Sequence, residues 1–450
     1  MKNLPVRIGY IGGQPQRINE RAIDSQWIGY LGEHAETVSI PPLSIMKLFG
    51  GAIEQWRRKL PGSIEGFAER LRQLCAKYEI QAMYVNLPVL LPYLMMARNE
   101  GGIKLSFLFI AHSVGSEFWL KQWIGIAPLL QQQDVLLTSS ASSREALLRL
   151  SPVYRHAKLI PLCIQTREGA SIRSTAMRDH SSARNMLAIG RIDPDKNIHV
   201  LLRCFAEIRR QVPDAHLYIA GEYTGASAEA IDRYRSELAA FIENACLSDC
   251  VSFTGPVIGE QKEQLFAQAD VLVNLSTDLG ETFGFNLLEA KTWGLPVVCT
   301  GWDGFCELVA DGEDGILTAC HWDGDSPTVD EADVVQACVR LLSDDVLRER
   351  LAANAWHRAR NYDYHMIMPQ IIAELEAALE VPAARREIPF NTPIAELDEL
   401  YELSALDRLP FLNETPVSIL SLADTHAPEW PSMVKPVVQH FARRTSYAEL

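Results

Sequence analysis

Short apolar runs of strand length alternate with longer stretches of helical period along most of this chain. The first series of runs falls at residues 6–11, 83–86, 105–111, 134–138 and 158–161, with a helix predicted over 88–99. A second series falls at 186–190, 216–220, 251–254, 271–275 and 296–300, with helices predicted over 197–211, 226–246 and 284–293. Continuous apolar runs separated by amphipathic helices are the pattern of βαβ units, whose parallel strands are buried on both faces. Residues 165–185 interrupt the pattern with a polar stretch poor in large apolar side chains, the composition of a linker. The pattern therefore predicts an α/β protein of two Rossmann-like, doubly wound domains facing a central cleft. They would span residues 1–165 and 186–360, joined by 166–185, and the remainder, 361–450, would be a helical crossover and an irregular extension. Within that remainder and just before it, 344–380 has helical period, whereas 382–450 carries repeated prolines and no clear period. Ligands of doubly wound sheets bind beyond the carboxyl ends of the strands, so the residues that follow each run are the candidates for chemistry.

Composition narrows the picture. A chain of 450 residues exceeds one ordinary core, in keeping with two domains. The formal net charge of -15 opposes non-specific attraction to nucleic acid, so no nucleic-acid partner is expected; oligomeric state is left open. The nine cysteines are odd in number and form no Cys-x-x-Cys pair, which predicts buried free thiols in a reducing compartment. Cys246 and Cys250 would share a helical face, without a further pair to complete a zinc pattern. Residues 1–7 are too polar and 8–11 too short for a secretory leader, so the location expected is cytoplasmic. Residues 45–60 combine Met46, Leu48, Phe49, Ile53 and Trp56 with Lys47, Arg57, Arg58 and Lys59. This is the composition of a membrane-touching or lipid-acceptor helix, or of a helix packed in the first domain with a solvated basic end; the acidic chain favours the second.

Two junctions hold the candidate chemistry. Gly280-Glu281-Thr282-Phe283-Gly284-Phe285-Asn286-Leu287-Leu288-Glu289-Ala290 follows a strand and opens a helix. Gly284 would let backbone amides approach a ligand, and the helix start favours an anion such as a diphosphate. Glu289 lies among Leu287, Leu288 and Ala290, where a carboxylate needs a partner, and two ribose hydroxyls would serve. Taken alone, Glu281 reads equally as a first-turn acid and Glu289 as a partly solvated side chain. Gly190-Arg191-Ile192-Asp193-Pro194-Asp195-Lys196-Asn197 also joins a strand to a helix. There Arg191 offers a planar fork to phosphate and Lys196 a point charge, or the two pair at the surface with Asp193 and Asp195.

Together the two segments resemble the family-4 retaining glycosyltransferases of GT-B fold, which carry Gly-Arg and then Lys, followed some ninety residues later by Glu-x-Phe-Gly-x-x-x-x-Glu. Similar landmarks lie between and after them, among them Ile219-Ala220-Gly221-Glu222, Pro296-Val297-Val298 and Asp311-Gly312-Glu313-Asp314-Gly315. The strong likeness covers about residues 186–318. In the first half, Gly12-Gly13 and His112-Ser113 stand where that family has a Gly-rich loop and a His-Asp. The resemblance implies transfer of a sugar, with retention, from a nucleotide diphosphate sugar (uridine-linked at the family level) to an acceptor hydroxyl. No cofactor beyond the donor is implied. Arg191, Lys196 and Gly190 would meet the diphosphate, and Glu289 the ribose. Glu281 would contact the donor sugar, and amides from Phe283 through Gly284, Phe285, Asn286 and Leu287 would touch sugar hydroxyls and phosphate. Gly12 and Gly13 would admit phosphate or acceptor, His112 would line the sugar pocket, and residues 255–258, with Val257, would meet the nucleobase. Ser113 departs from the family's Asp and puts the His112 contact in question.

Other readings stay open. Asp193-Pro194-Asp195 and Asp323-Gly324-Asp325 are Asp-x-Asp pairs, which other sugar transferases use to hold a divalent metal; Arg191 and Lys196 already supply positive charge, so the expected site has no metal. A nucleotide-sugar-binding regulatory subunit would keep the fold without turnover. A sugar-nucleotide epimerase would need positioned acid and base groups that the sequence does not display.

Overall fold

The structure, a computed structural model, describes residues 6–12, 23–60, 62–86, 89–115, 117–166, 184–323, 326–386 and 434–443. Most of the expected linker (167–183), most of the C-terminal extension (387–433), Gly13 and Asp325 lie outside the described residues. The chain divides into two compact units, Met1–Pro161 with His365–Phe441, and Leu162–Tyr364 with Ala442–Leu450.

The first unit is built on a parallel six-stranded sheet: β1 (Arg7–Ile11), β2 (Glu36–Ile40), β3 (Ala82–Tyr84), β4 (Ser106–Ala111), β5 (Val135–Thr138) and β6 (Lys158–Leu159), in the order β2-β1-β3-β4-β5-β6. Every residue of β3, β4 and β5 is buried, which is why those strands read as unbroken apolar runs. β2 was not anticipated. Its sequence, Glu-Thr-Val-Ser-Ile, alternates too weakly to signal a strand, and it lies at the sheet edge with one residue buried. Residues 45–60 do not form one helix. They break into short turns, Pro42–Met46, Lys47–Phe49 and Ile53–Arg57, because Gly50 adopts a left-handed φ of 70°. Ile45, Leu48, Phe49 and Trp56 are buried, and Phe49 meets Trp56, Phe67 and Tyr93 edge-on at 5.3, 4.9 and 5.6 Å. The apolar side of this stretch is therefore core.

The second unit repeats the plan with β7 (Arg184–Ile189), β8 (Ala215–Ala220), β9 (Val251–Gly255), β10 (Val271–Asn274), β11 (Val297–Thr300) and β12 (Gly315–Thr318), in the order β12-β11-β10-β7-β8-β9. All ladders are parallel. The helix Ile198–Gln211 buries Ile198, Val200, Leu201, Leu202, Cys204, Phe205 and Ile208, a helical-period stripe that seals one face of the sheet. β12 and the antiparallel pair β13 (Cys320–Asp323) and β14 (Ser326–Val329) were not anticipated. The helical stretch expected over 344–380 is two helices, Asp345–Ala359 and Tyr364–Leu379, and the break falls where Thr166 donates its amide to the Asp363 carboxylate at 2.9 Å and Tyr364 donates its own to Ile164 at 3.0 Å. The helix expected over 226–246 ends at Asn244, so Cys246, at φ 55°, and Cys250 share no helical face. Seven of the nine cysteines are buried and free, Cys246 is exposed and Cys306 half-buried. Among the described residues no helix is long and apolar enough to cross a membrane.

Each unit holds a fully buried ion pair. In the first, Arg98 forks onto Asp134 at 2.8 and 2.7 Å, both side chains being sealed from water. The Asp134 carboxylate also accepts the amides of Phe107 and Gln131, so it sits just outside β5 rather than beginning it. In the second, Lys291 donates to Asp314 at 2.7 Å and to the Leu308 carbonyl at 2.6 Å, and burial lowers the Lys291 pKa against the opposing pull of Asp314. A buried charge stripped of its partner is strongly destabilising. Asp134→Ala is therefore expected to cost about 3–5 kcal/mol in urea denaturation, and a loss below about 1 kcal/mol, the range of a surface pair, would show that Arg98 finds another counter-charge.

Candidate functional site

The site in the second unit is set by strand order. β8 and β9 extend the sheet on one side of β7, and β10, β11 and β12 on the other, so the direction of winding reverses between β7 and β10. At such a reversal the two loops leaving the carboxyl ends diverge and leave a crevice. The two segments singled out by sequence are those two loops, 87 residues apart at the Arg191–Asp278 contact.

Glycines allow the first loop its path. Gly190 turns at φ 149° and donates its amide to the Ala220 carbonyl, and a side chain at Gly221 would lie 1.7 Å from the Gly190 carbonyl oxygen. The loop ends in a one-turn helix, Pro194–Lys196, capped by Asp193, whose carboxylate accepts the Lys196 amide at 3.2 Å. The other Asp193 oxygen accepts the Thr224 hydroxyl at 2.9 Å and faces Arg191 at 3.1 Å. Asn197, at a left-handed φ of 53°, donates its side-chain amide to the Leu275 carbonyl and the Thr277 hydroxyl at 2.8 and 2.9 Å, and Thr277 returns its amide to the Asp195 carbonyl at 3.0 Å. The two loops are thereby stitched together.

The charged side chains converge across that seam. Lys196 pairs with Glu281, donates to the Ser276 hydroxyl at 3.2 Å and stands 3.5 Å from Asp278. Arg191 reaches Asp278 at 2.8 Å. Burial opposes ionisation of Asp278, but Lys196, the Gly280 amide and Arg191 together outweigh it and hold the carboxyl below its usual range. Burial, then Asp278 and Asp193, push the neighbouring Asp195 the other way. Neither Asp278 nor Ser276 was singled out by sequence. The signal present was a run of small polar residues, Ser276-Thr277-Asp278, directly after an apolar strand.

The helix Phe285–Thr292 starts beside this cluster at Gly284, φ 84°, where a side chain would strike the Phe305 ring at 2.6 Å. Its opening amides have no carbonyl of their own helix to bond, with one correction to the expectation: Leu287 and Leu288 donate to the Gly284 carbonyl, so the Leu287 amide is already used. The Asn286 side chain is committed too, its Nδ2 donating to the Ile189 carbonyl at 2.7 Å and its Oδ1 accepting from Asn274 at 3.0 Å, which pins the helix start to the end of β7. Phe283 is buried against Tyr362. Glu289 pairs with Lys262 of the helix Gly259–Gln268, so its carboxylate has a cation where two hydroxyls alone were expected. That helix follows the loop of residues 255–258, where Gly255 adopts φ 70°, Val257 is half-buried and Ile258 exposed.

In the first unit, Gly12 and His112 follow β1 and β4 at the carboxyl edge of their sheet. Gly12 takes φ 148° with open space around it, so its requirement is conformational. Its carbonyl accepts the Ser39 hydroxyl and its amide donates to Ile40. Ser113 accepts the Trp123 indole N–H on its carbonyl at 2.8 Å. Burial lowers the His112 pKa to about 4, so the ring is neutral near pH 7. A group that takes its proton only after unfolding stabilises the fold above its ordinary pKa of 6.5, and that contribution fades as pH falls toward 4. The stability advantage of the wild type over His112→Asn is expected to shrink over that window in denaturation at stepped pH. An advantage constant with pH would show that the ring titrates normally.

Parts of the chain are similar to known proteins. Residues 183–344, which include both loops, match the family model described as Glycosyl transferases group 1. The D-inositol 3-phosphate glycosyltransferase of Stackebrandtia nassauensis is 30% identical over 255 residues, 54% of this chain and 53% of that protein. The phosphatidyl-myo-inositol mannosyltransferase of Mycobacterium leprae is 31% identical over 194 residues, 43% of this chain and 46% of that protein. The chain thus spans about half the length of these curated relatives. Among solved structures, Anabaena Alr3699/HepE, crystallised with UDP and glucose, matches with a TM-score of 0.61 at 18% identity, over 83% of this chain and 100% of that one. The sucrose-phosphate synthase (tll1590) of Thermosynechococcus elongatus matches with a TM-score of 0.60 at 20% identity, over 83% and 100%. The fold of this chain is the two-domain, Rossmann-like α/β fold of the GT-B glycosyltransferases.

Proposed function

We propose that the protein is a retaining glycosyltransferase that moves a sugar from a nucleotide diphosphate sugar, uridine-linked, to an acceptor hydroxyl. The observation that carries this reading is the convergence of Arg191, Lys196 and Glu281 at the reversal between β7 and β10, beside the start of the helix Phe285–Thr292. The match of residues 183–344 to Glycosyl transferases group 1 supports it, as does the UDP in the Anabaena structure.

The chemistry follows from the charges. The bond between the anomeric carbon and the diphosphate oxygen breaks, a bond from that carbon to the acceptor oxygen forms, and the acceptor proton passes to the departing phosphate. Negative charge grows on the diphosphate, where Arg191, Lys196 and the amides of Phe285 and Asn286 stabilise it. Glu281 faces the sugar and orients Lys196. Glu289, steadied by Lys262, holds the ribose, and residues 255–258 with Val257 lie against the base. Gly12 would admit phosphate or acceptor, and His112, neutral near pH 7, would line the sugar pocket without adding charge. A metal is not needed in this arrangement. Both oxygens of Asp193 are engaged, by the Lys196 amide, Thr224 and Arg191, so Asp193 and Asp195 shape the turn. Treatment with a chelator should leave transfer intact, and dependence on added magnesium or manganese would restore the Asp-x-Asp reading.

Arg191→Ala and Lys196→Ala are expected to slow the single-turnover rate by about 3 kcal/mol each, the scale of a lost oxyanion donor. A raised KM with normal kcat would contradict the leaving-group role. Proton magnetic resonance of the first product formed should show the anomeric configuration of the donor, and inversion would place the enzyme in another mechanistic class. Absence of any nucleotide release in a screen of nucleotide sugars and acceptors, with binding intact, would favour a regulatory subunit instead.

A further inference from the structure

Asp278 takes no part in the transfer as derived, yet it touches both cations assigned to the diphosphate. Its Oδ2 stands 2.8 Å from Arg191 and 3.5 Å from Lys196. Its own position is fixed on several sides. Oδ1 accepts the Gly280 amide at 2.8 Å, its backbone amide donates to the Ser276 hydroxyl at 3.2 Å, and its carbonyl accepts the Glu281 amide and the indole N–H of buried Trp302 at 2.9 and 3.0 Å. Arg191, by contrast, has a side chain 56% exposed, so of the two partners the guanidinium is the more open to solvent. The cations are already matched in charge: Arg191 faces Asp193 and Asp278, and Lys196 faces Asp278 and Glu281. A diphosphate entering here exchanges one set of anionic partners for another instead of meeting bare cations.

We propose, resting on the donor-site reading above, that Asp278 is an internal counter-anion of the donor site. In the empty protein it holds Arg191 and Lys196 in the crevice. When diphosphate binds, it competes for the same two cations and stays behind as a fixed negative charge, so it weakens retention of the nucleoside diphosphate product. Asp278 is thus a positioning residue that sets product release. A neutral amide of the same shape removes the competition while keeping the acceptor for Gly280.

Titration calorimetry of the full chain with inorganic pyrophosphate and with UDP tests this. Pyrophosphate reads the anion site without any contribution from the base. Asp278→Asn is expected to bind both ligands about tenfold more tightly than the wild type, a change of about 1.4 kcal/mol, and to show stronger inhibition by UDP in steady-state transfer. A residue that merely braces the loop would behave oppositely, with weaker binding and a lower Tm. Unchanged or weaker binding by a variant that melts with the wild type overturns the proposal. Should Asp278→Asn melt early, Asp278→Ser, which also lacks the charge, decides by the same criterion. If the wild type binds neither ligand, the donor-site reading fails together with this one; if it binds and neither variant gains affinity, only the role of Asp278 is refuted.

Discussion

The parallel pairing of β7 with β10 is the constraint on which the candidate site depends. Met186 and Leu187 lie beside Val271 and Leu272, although a one-turn helix, three longer helices and two further strands separate the two strands in the chain. Parallel strands leave the sheet at the same edge, so this register alone brings the Arg191 loop and the Glu281 loop side by side. Everything charged follows from that proximity. Asn197 bonds across to Leu275 and Thr277, and Asn286 reaches back to Ile189, so the two loops and the helix start are one hydrogen-bonded assembly. Were either loop shifted by a residue, the buried Asn197 and half-buried Asn286 side chains would lose those carbonyls, and Asn197 would be left as a buried polar group without its partners.

Electrostatics then gives the assembly its character. Two cations are surrounded by carboxylates of mixed environment: Asp193 spent on a cap, Asp278 held ionised by its cations, Asp195 pushed toward its neutral form, and Glu281 on Lys196. Such a site is preorganised without being strongly positive, which suits the proposed donor, a nucleotide diphosphate sugar that would leave as a nucleoside diphosphate. It would also reconcile the proposed anion site with a chain of net charge -15, since the positive charge present is local and already screened.

Much of the fold was legible from sequence because parallel buried strands leave a strong mark. The runs at 105–111, 216–220 and 251–254 differ from β4, β8 and β9 by one residue at an end. β2 escaped because an edge strand half open to water need not be apolar. β12 escaped because Gly315-Ile316-Leu317-Thr318 is short and opens on a glycine whose side-chain space is filled by Val297 and Val309. Residues 45–60 looked like one amphipathic helix because its apolar and basic residues fall at helical spacing, while the left-handed turn at Gly50 that divides it is a matter of backbone conformation.

Of the site, the sequence by itself determined which residue types were available at each strand–helix junction: Arg191 and Lys196 at one, Glu281, Gly284 and Glu289 at the other. It also determined that both glycine turns were possible, since only glycine enters a positive φ without strain. What it left open was every pairing. That Glu289 answers to Lys262 and that Asp278 stands between the two cations were decided by tertiary structure. The physical reason is that hydrogen bonds and ion pairs act over a few ångströms in space. Their partners here lie 27 to 87 residues apart in the chain, so only the order of strands in the sheet could bring them together.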